Sequence, residues 1–195
     1  MRNKLFLFVF LFAVLAITDS HAFERKKYNF NSEWRLQIGD FPEAKQSQFD
    51  DSRWKAVTLP HAFNEDEAFK VSIEQLTDTV VWYRKHFRIP ASGKKQKVFI
   101  EFEGVRQAGD FYLNGQLLGK HENGVMAVGF DLTPYIKEGD NVLAVRTDND
   151  WMYREKSTNS KFQWNDRNFN ANYGGLPKNV FLYVTDEVYQ TLPLY

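Results

Sequence analysis

Few residues in this chain have the type and spacing that reactive chemistry requires. There is no cysteine, which removes thiol nucleophiles and thiolate metal sites. No serine sits in a G-x-S-x-G elbow, and no glycine-rich phosphate loop is present. His61, His86 and His121 stand far apart. His121-Glu122 begins like the zinc motif H-E-x-x-H, but position 125 is valine, so the second ligand is missing. No zinc site and no cofactor are therefore expected. Asp148-Asn149-Asp150 gathers oxygens after a strand, and reads either as part of a calcium shell or as an Asx-stabilised turn.

One stretch does suggest recognition. Between residues 151 and 173, Trp151, Tyr153, Phe162, Trp164, Phe169 and Tyr173 alternate with Asn159, Asn165, Asp166, Asn168, Asn170 and Asn172. Aromatic faces suit the C–H faces of sugar rings, and short amides and carboxylates suit their hydroxyl edges. A segment of this length without clear periodicity is usually a binding loop or an interface. Packing against a further domain is the competing reading.

The elements that would hold such a loop read as strands. Alternation places Tyr83, Phe87 and Ile89 on one face of a strand over residues 81–89, with Arg84, His86 and Arg88 on the other, solvated or interfacial face. The same pattern puts Val98, Ile100 and Phe102 inward over residues 97–103, with Glu101 and Glu103 outward. It puts Phe111 and Leu113 inward over 109–113, and Leu143 and Val145 on one face over 141–147. Residues 34–38 and 54–59 are weaker strands, the second ended by Pro60, and residues 180–184 are apolar on both faces, as in a central strand. Asn114-Gly115 fits a type I′ hairpin turn, since both central residues need positive φ. Asp131 or Thr133 can cap a helical turn at residues 134–137. Antiparallel strands in this number bury one face each by forming two packed sheets, so the expected fold is an all-β sandwich of jelly-roll type.

The first residues stand apart. A basic start, an uncharged apolar run over residues 5–17 and small residues at Ser20-His21-Ala22 read as a secretory signal peptide cleaved near Ala22, too short for a comfortable membrane span. Residues 23–195 then form one domain, long enough to bury a sizeable core. Lys+Arg and Asp+Glu number 25 each, and cleavage leaves the rest within one charge of neutral. Such a balance attracts neither nucleic acid nor an anionic membrane. Export without disulfides suits a bacterial periplasm or exterior.

A set of short motifs, in order, carries a resemblance. Phe102-Glu103-Gly104-Val105, Asn114-Gly115, Leu118-Gly119, His121, Asp131-Leu132-Thr133, residues 139–145 (GDNVLAV) and Asp148-Asn149 follow Trp54, Leu59-Pro60-His61 and Trp82-Tyr83-Arg84-Lys85, and precede Gly174-Gly175-Leu176. This order resembles the N-terminal sugar-binding domain of glycoside hydrolase family 2, the family of β-galactosidases, β-glucuronidases and β-mannosidases, over nearly all of residues 23–195. Val125-Met126 stands where the family usually has an aromatic residue, and Pro177-Lys178 where it has Tyr-Arg, which points away from the β-galactosidase subgroup. The resemblance implies that an immunoglobulin-like domain and a barrel follow in the parent enzyme. The barrel would carry the catalytic glutamates, so none is assigned here, and carbohydrate would be the ligand. It further implies that a residue before the double glycine reaches the sugar. Asp166 has the spacing for this, with Asn165 beside it; Trp164, Trp151 and Tyr173 complete the expected substrate-binding set. The chain alone is expected to hydrolyse nothing. A free-standing carbohydrate-binding module, with Trp151, Trp164 and Tyr173 as its platform, and a docking subunit for a separately encoded barrel are the alternatives.

Overall fold

Alternating apolar residues and Gly/Asn/Pro breaks produce fourteen short strands among the described residues. In the computed structural model the described residues are 25–65, 79–89, 95–122, 124, 126–149, 154–155, 160–161 and 173–191. The strands in chain order are β1 (Arg25–Asn29), β2 (Trp34–Ile38), β3 (Lys55–Val57), β4 (His61–Ala62), β5 (Val80–Arg88), β6 (Gln96–Phe102) and β7 (Ala108–Leu113). They continue as β8 (Gln116–His121), β9 (Val128–Asp131), β10 (Asp140–Asp148), β11 (Arg154–Glu155), β12 (Ser160–Lys161), β13 (Gly175–Leu176) and β14 (Val180–Asp186). One sheet has the order β1-β14-β6-β9, a second β3-β2-β5-β10-β7-β8, and β11-β12 and β13-β4 form small pairs. The main neighbours are antiparallel.

The inner faces of the two large sheets supply one core. Tyr83 of β5 lies opposite Val145 of β10, and Val145 opposite Phe111 of β7. From the other sheet come Ile100 and Phe102 of β6 and Leu182 of β14. The sheets meet through rings: Phe111 lies 4.8 Å from Phe102 and 4.8 Å from Phe130, centroid to centroid. Such tilted aromatic pairs each add about 0.5–1.5 kcal/mol beyond the area they bury. The all-β sandwich expected from the alternation is present, and β14 is central, between β1 and β6.

The Asn114-Gly115 turn joins β7 to β8 with φ of 52° and 88°. Asn114 does more than tolerate that backbone. Its amide donates to Tyr135 O at 3.0 Å and Asn141 Oδ1 at 2.8 Å, and its Oδ1 accepts from Val142 N at 3.0 Å. The hairpin is thereby tied to the start of β10.

The single turn expected near residues 134–137 is present, with Asp131 as its cap, while other expectations are revised. Tyr135 N and Ile136 N both donate to Leu132 O, and Asp131 Oδ1 accepts from Thr133 N at 2.8 Å. The outer face of β5 is not solvated at Arg84, which is fully buried. A flap over residues 40–54 lies across it. Arg84 donates to Phe49 O and Gln46 O at 2.9 and 3.1 Å, and its Nε stands 3.3 Å from Asp51. Trp82 stacks on Tyr112 beneath the same flap. Glu101 and Glu103 are half-buried acceptors, the first from the Tyr183 hydroxyl at 2.6 Å and the second from Asn179 at 2.8 Å. Within the long 151–173 segment, β11 pairs with β12. The signal peptide expected over residues 1–22 lies outside the described residues.

Candidate functional site

The two ends of the aromatic segment converge on one corner of the sandwich. Asn149 directly follows β10 and Gly174 directly precedes β13, and the two residues stand side by side. A Cβ placed on Gly174 would lie 2.6 Å from Asn149 Cγ, and would collide with the Phe63 ring. Only glycine lets the returning chain pass this close. The Gly174 amide donates to buried Asn64 at 2.8 Å, and its carbonyl accepts from Phe63 N at 3.1 Å.

Gly175 has φ +107°, and a side chain there would run into the Tyr83 hydroxyl. That hydroxyl lies 3.1 Å from His61 Nδ1 and donates to the His61 carbonyl at 3.3 Å. Burial pushes the Tyr83 phenol well above its ordinary value, so it remains a neutral donor. Burial also pulls the His61 imidazole down; Lys55 adds to that shift and Glu65 opposes it. The result is a neutral, preset hydrogen-bonding pair beneath the double glycine.

Arg106 and Gln107 form the third wall. Arg106 and Gly175 exchange backbone hydrogen bonds, both 3.0 Å, and Gln107 N donates to Asp148 O at 2.9 Å. Burial pushes the Arg106 guanidinium below its ordinary value, and no ion pair with a described residue offsets this. Gln107 is fully buried, and a Cβ on Gly124 would lie 3.0 Å from its Oε1.

This corner offers amides, a guanidinium, an imidazole and a phenol. Those groups can position a loop and hydrogen-bond a polyol. They do not make the pair of carboxylates about 5 Å apart that a retaining glycosidase uses. Of the sequence-predicted residues, Tyr173 is half-buried beside Gly174. Trp151, Trp164, Asn165 and Asp166 lie outside the described residues. Asp148 pairs with Arg146 at 3.3 Å, Asn149 is 1% exposed, and Asp150 is outside the described residues. His61, Asn64, Tyr83, Arg106 and Gln107 were not singled out from sequence as site residues, and Asn149 was considered only for a calcium shell or a turn. Their signal lay in the motifs around them, Leu59-Pro60-His61, Trp82-Tyr83 and the double glycine.

A two-sheet antiparallel sandwich, with both roots of the aromatic segment held at one corner, defines a β-sandwich module. The model of the sugar binding domain of glycosyl hydrolases family 2 matches residues 27–186, and the chain belongs to that family. It is 40% identical over 182 residues to a β-glucuronidase of Formosa agariphila, a match covering 88% of this chain and 18% of that protein. A β-galactosidase of Thermoanaerobacter pseudethanolicus is 39% identical over 126 residues, 64% of this chain and 17% of the other. Among solved structures, a β-glucuronidase from glycoside hydrolase family 2 superposes with a TM-score of 0.77 at 38% identity, over 89% of this chain and 19% of that one. A Bacteroides uniformis β-glucuronidase superposes with a TM-score of 0.70 at 26% identity, over 83% of this chain and 18% of that one. The chain thus spans about a fifth of the length of these relatives, and corresponds to their sugar-binding domain.

Proposed function

We propose that this chain is the non-catalytic sugar-binding unit of an exported family 2 exo-β-glycosidase, and that the whole enzyme acts on β-glucuronides. The observation that carries the proposal is the corner built from Gly174, Gly175, Tyr83, His61 and Arg106, which fixes both roots of the aromatic segment. A loop held that firmly at its base can present Trp151, Trp164, Asn165, Asp166 and Tyr173 to a sugar bound mainly by a neighbouring barrel. The extensive match to β-glucuronidases, and the shorter one to a β-galactosidase, favour the uronic-acid substrate. The barrel would supply the acid/base and nucleophilic carboxylates. The chain would contribute shape and hydrogen bonds at the substrate's rim.

Affinity electrophoresis of residues 23–195 against a panel of immobilised glycans tests this division of labour. The expected result is little or no retardation, because the sugar site is shared with the barrel. Strong retardation lost on Trp164→Ala would instead make the chain a free-standing carbohydrate-binding module.

A further inference from the structure

The inward face of β5 follows residues 81, 83, 85 and 87, and three of these are Val81, Tyr83 and Phe87, core side chains. The fourth is Lys85. It is 4% exposed, and its ammonium donates to Ser32 O at 2.5 Å and lies 4.6 Å from the centroid of the Phe30 ring. No carboxylate of a described residue lies within 4.0 Å of it, whereas its buried neighbour Arg84 has Asp51 and two carbonyls. A buried ammonium with one carbonyl partner retains donor capacity, and Glu33 acts on it through space without forming an ion pair.

Lys85 lines a cleft of about 360 Å³ between the two sheets, beside the turn that joins β1 to β2. Phe30, Phe87 and Leu182 give the cleft an apolar side. Arg88 stands at the rim, exposed and paired with Asp140. Glu33 lies in the turn, in the left-handed region with φ +58°, a conformation that non-glycine residues rarely adopt. His86, also on the rim, is engaged by Asp51 at 2.9 Å. The volume suits one sugar ring.

We infer that this cleft binds a monosaccharide-sized uronate, with the sugar's carboxylate on Lys85 and its C–H face on Phe30 and Phe87. Arg88 can swing from Asp140 to add a second cationic donor, and Glu33 can accept from ring hydroxyls. Burial holds the Lys85 ammonium below the ordinary lysine value, with Glu33 partly opposing the shift. A carboxylate in the cleft removes that penalty. The inference rests on the β5–β1 cleft alone and does not require a β-glucuronidase barrel.

The test is an amide ¹H–¹⁵N titration of residues 23–195 with sodium glucuronate, sodium galacturonate, glucose and sodium acetate. Saturable shifts at Leu182, Val184 and Phe87 with either uronate, and not with glucose or acetate, are expected. Lys85→Met should lower uronate affinity at least tenfold while the domain stays folded, since methionine fills the same space without the charge. Arg88→Gln, at an exposed position, should lower it several-fold. Absence of saturable shifts with both uronates overturns the inference. So does an affinity unchanged by Lys85→Met, or glucose or acetate binding as well as glucuronate. If Lys85→Met does not fold, an affinity unchanged in Arg88→Gln overturns it.

Discussion

Replacing Gly175 by alanine tests the corner directly. The residue has φ +107°, so an L side chain is strained there; left-handed backbone costs roughly 1–2 kcal/mol. The added methyl would run into the Tyr83 hydroxyl oxygen and lie 3.0 Å from Tyr83 Cζ, and overpacking of this kind costs about 1–3 kcal/mol. Together these give a loss of about 2–5 kcal/mol, a large part of a small domain's stability. Urea denaturation followed by tryptophan fluorescence would measure it, because Trp34 and Trp82 are buried, at 0% and 1% exposure. Tyr83→Phe removes the oxygen that the methyl meets, along with the bond to His61. The double variant should therefore be more stable than the sum of the single losses predicts, by about 1 kcal/mol. A Gly175→Ala loss below about 1 kcal/mol, or strictly additive losses, would refute the packing described for this corner.

Asn114→Ala should cost about 2–4 kcal/mol, since Val142 N loses its acceptor and alanine is strained at φ 52°. Asn114→Gly should cost about 1 kcal/mol less, and the difference between their denaturation midpoints measures the backbone share. Bonds from Arg146 hold the Asp40 carboxyl below its ordinary value, with a further bond from Trp82. A depressed carboxylate stabilises above its unfolded pKa, and that contribution is lost as pH falls through the folded one. Asp40→Asn should flatten this part of the acid limb of a stability–pH curve. Lys85 has the same pH sign at the basic end, although there it is burial that disfavours the charged form. Its folded pKa is lowered, so stability rises with pH just below the ordinary lysine value, and Lys85→Met should remove that rise. Expressed in a bacterium with its leader, the chain should appear outside the cytoplasm with Phe23 as its first residue by intact-mass measurement.

Much of the sandwich is legible in the chain because burial on one face imposes period two. β5, β6, β7 and β10 show it openly, and Asn114-Gly115 marks the hairpin between β7 and β8. β1 escapes that logic. All five of its residues are exposed, and it is held by backbone pairing to β14 and by Lys27 over the Phe181 ring. Arg84 and Lys85 mislead for the same reason. Charge in a sequence suggests solvent, but a flap covers one and the inter-sheet cleft takes the other. The corner is harder still to read, because His61, Tyr83, Arg106, Asn149 and Gly174 come from separate segments that only the fold unites. The order of short motifs nevertheless carried the family, since each motif marks a turn or close approach that this sandwich requires.

The central claim is that the chain is a sugar-binding unit without its own hydrolytic machinery. Incubation of purified residues 23–195 with 4-nitrophenyl β-D-glucuronide and 4-nitrophenyl β-D-galactoside, followed by release of 4-nitrophenol, tests it most directly. The prediction is release at the rate of the protein-free control for both substrates. Turnover that co-purifies with the chain and scales with its concentration would contradict it.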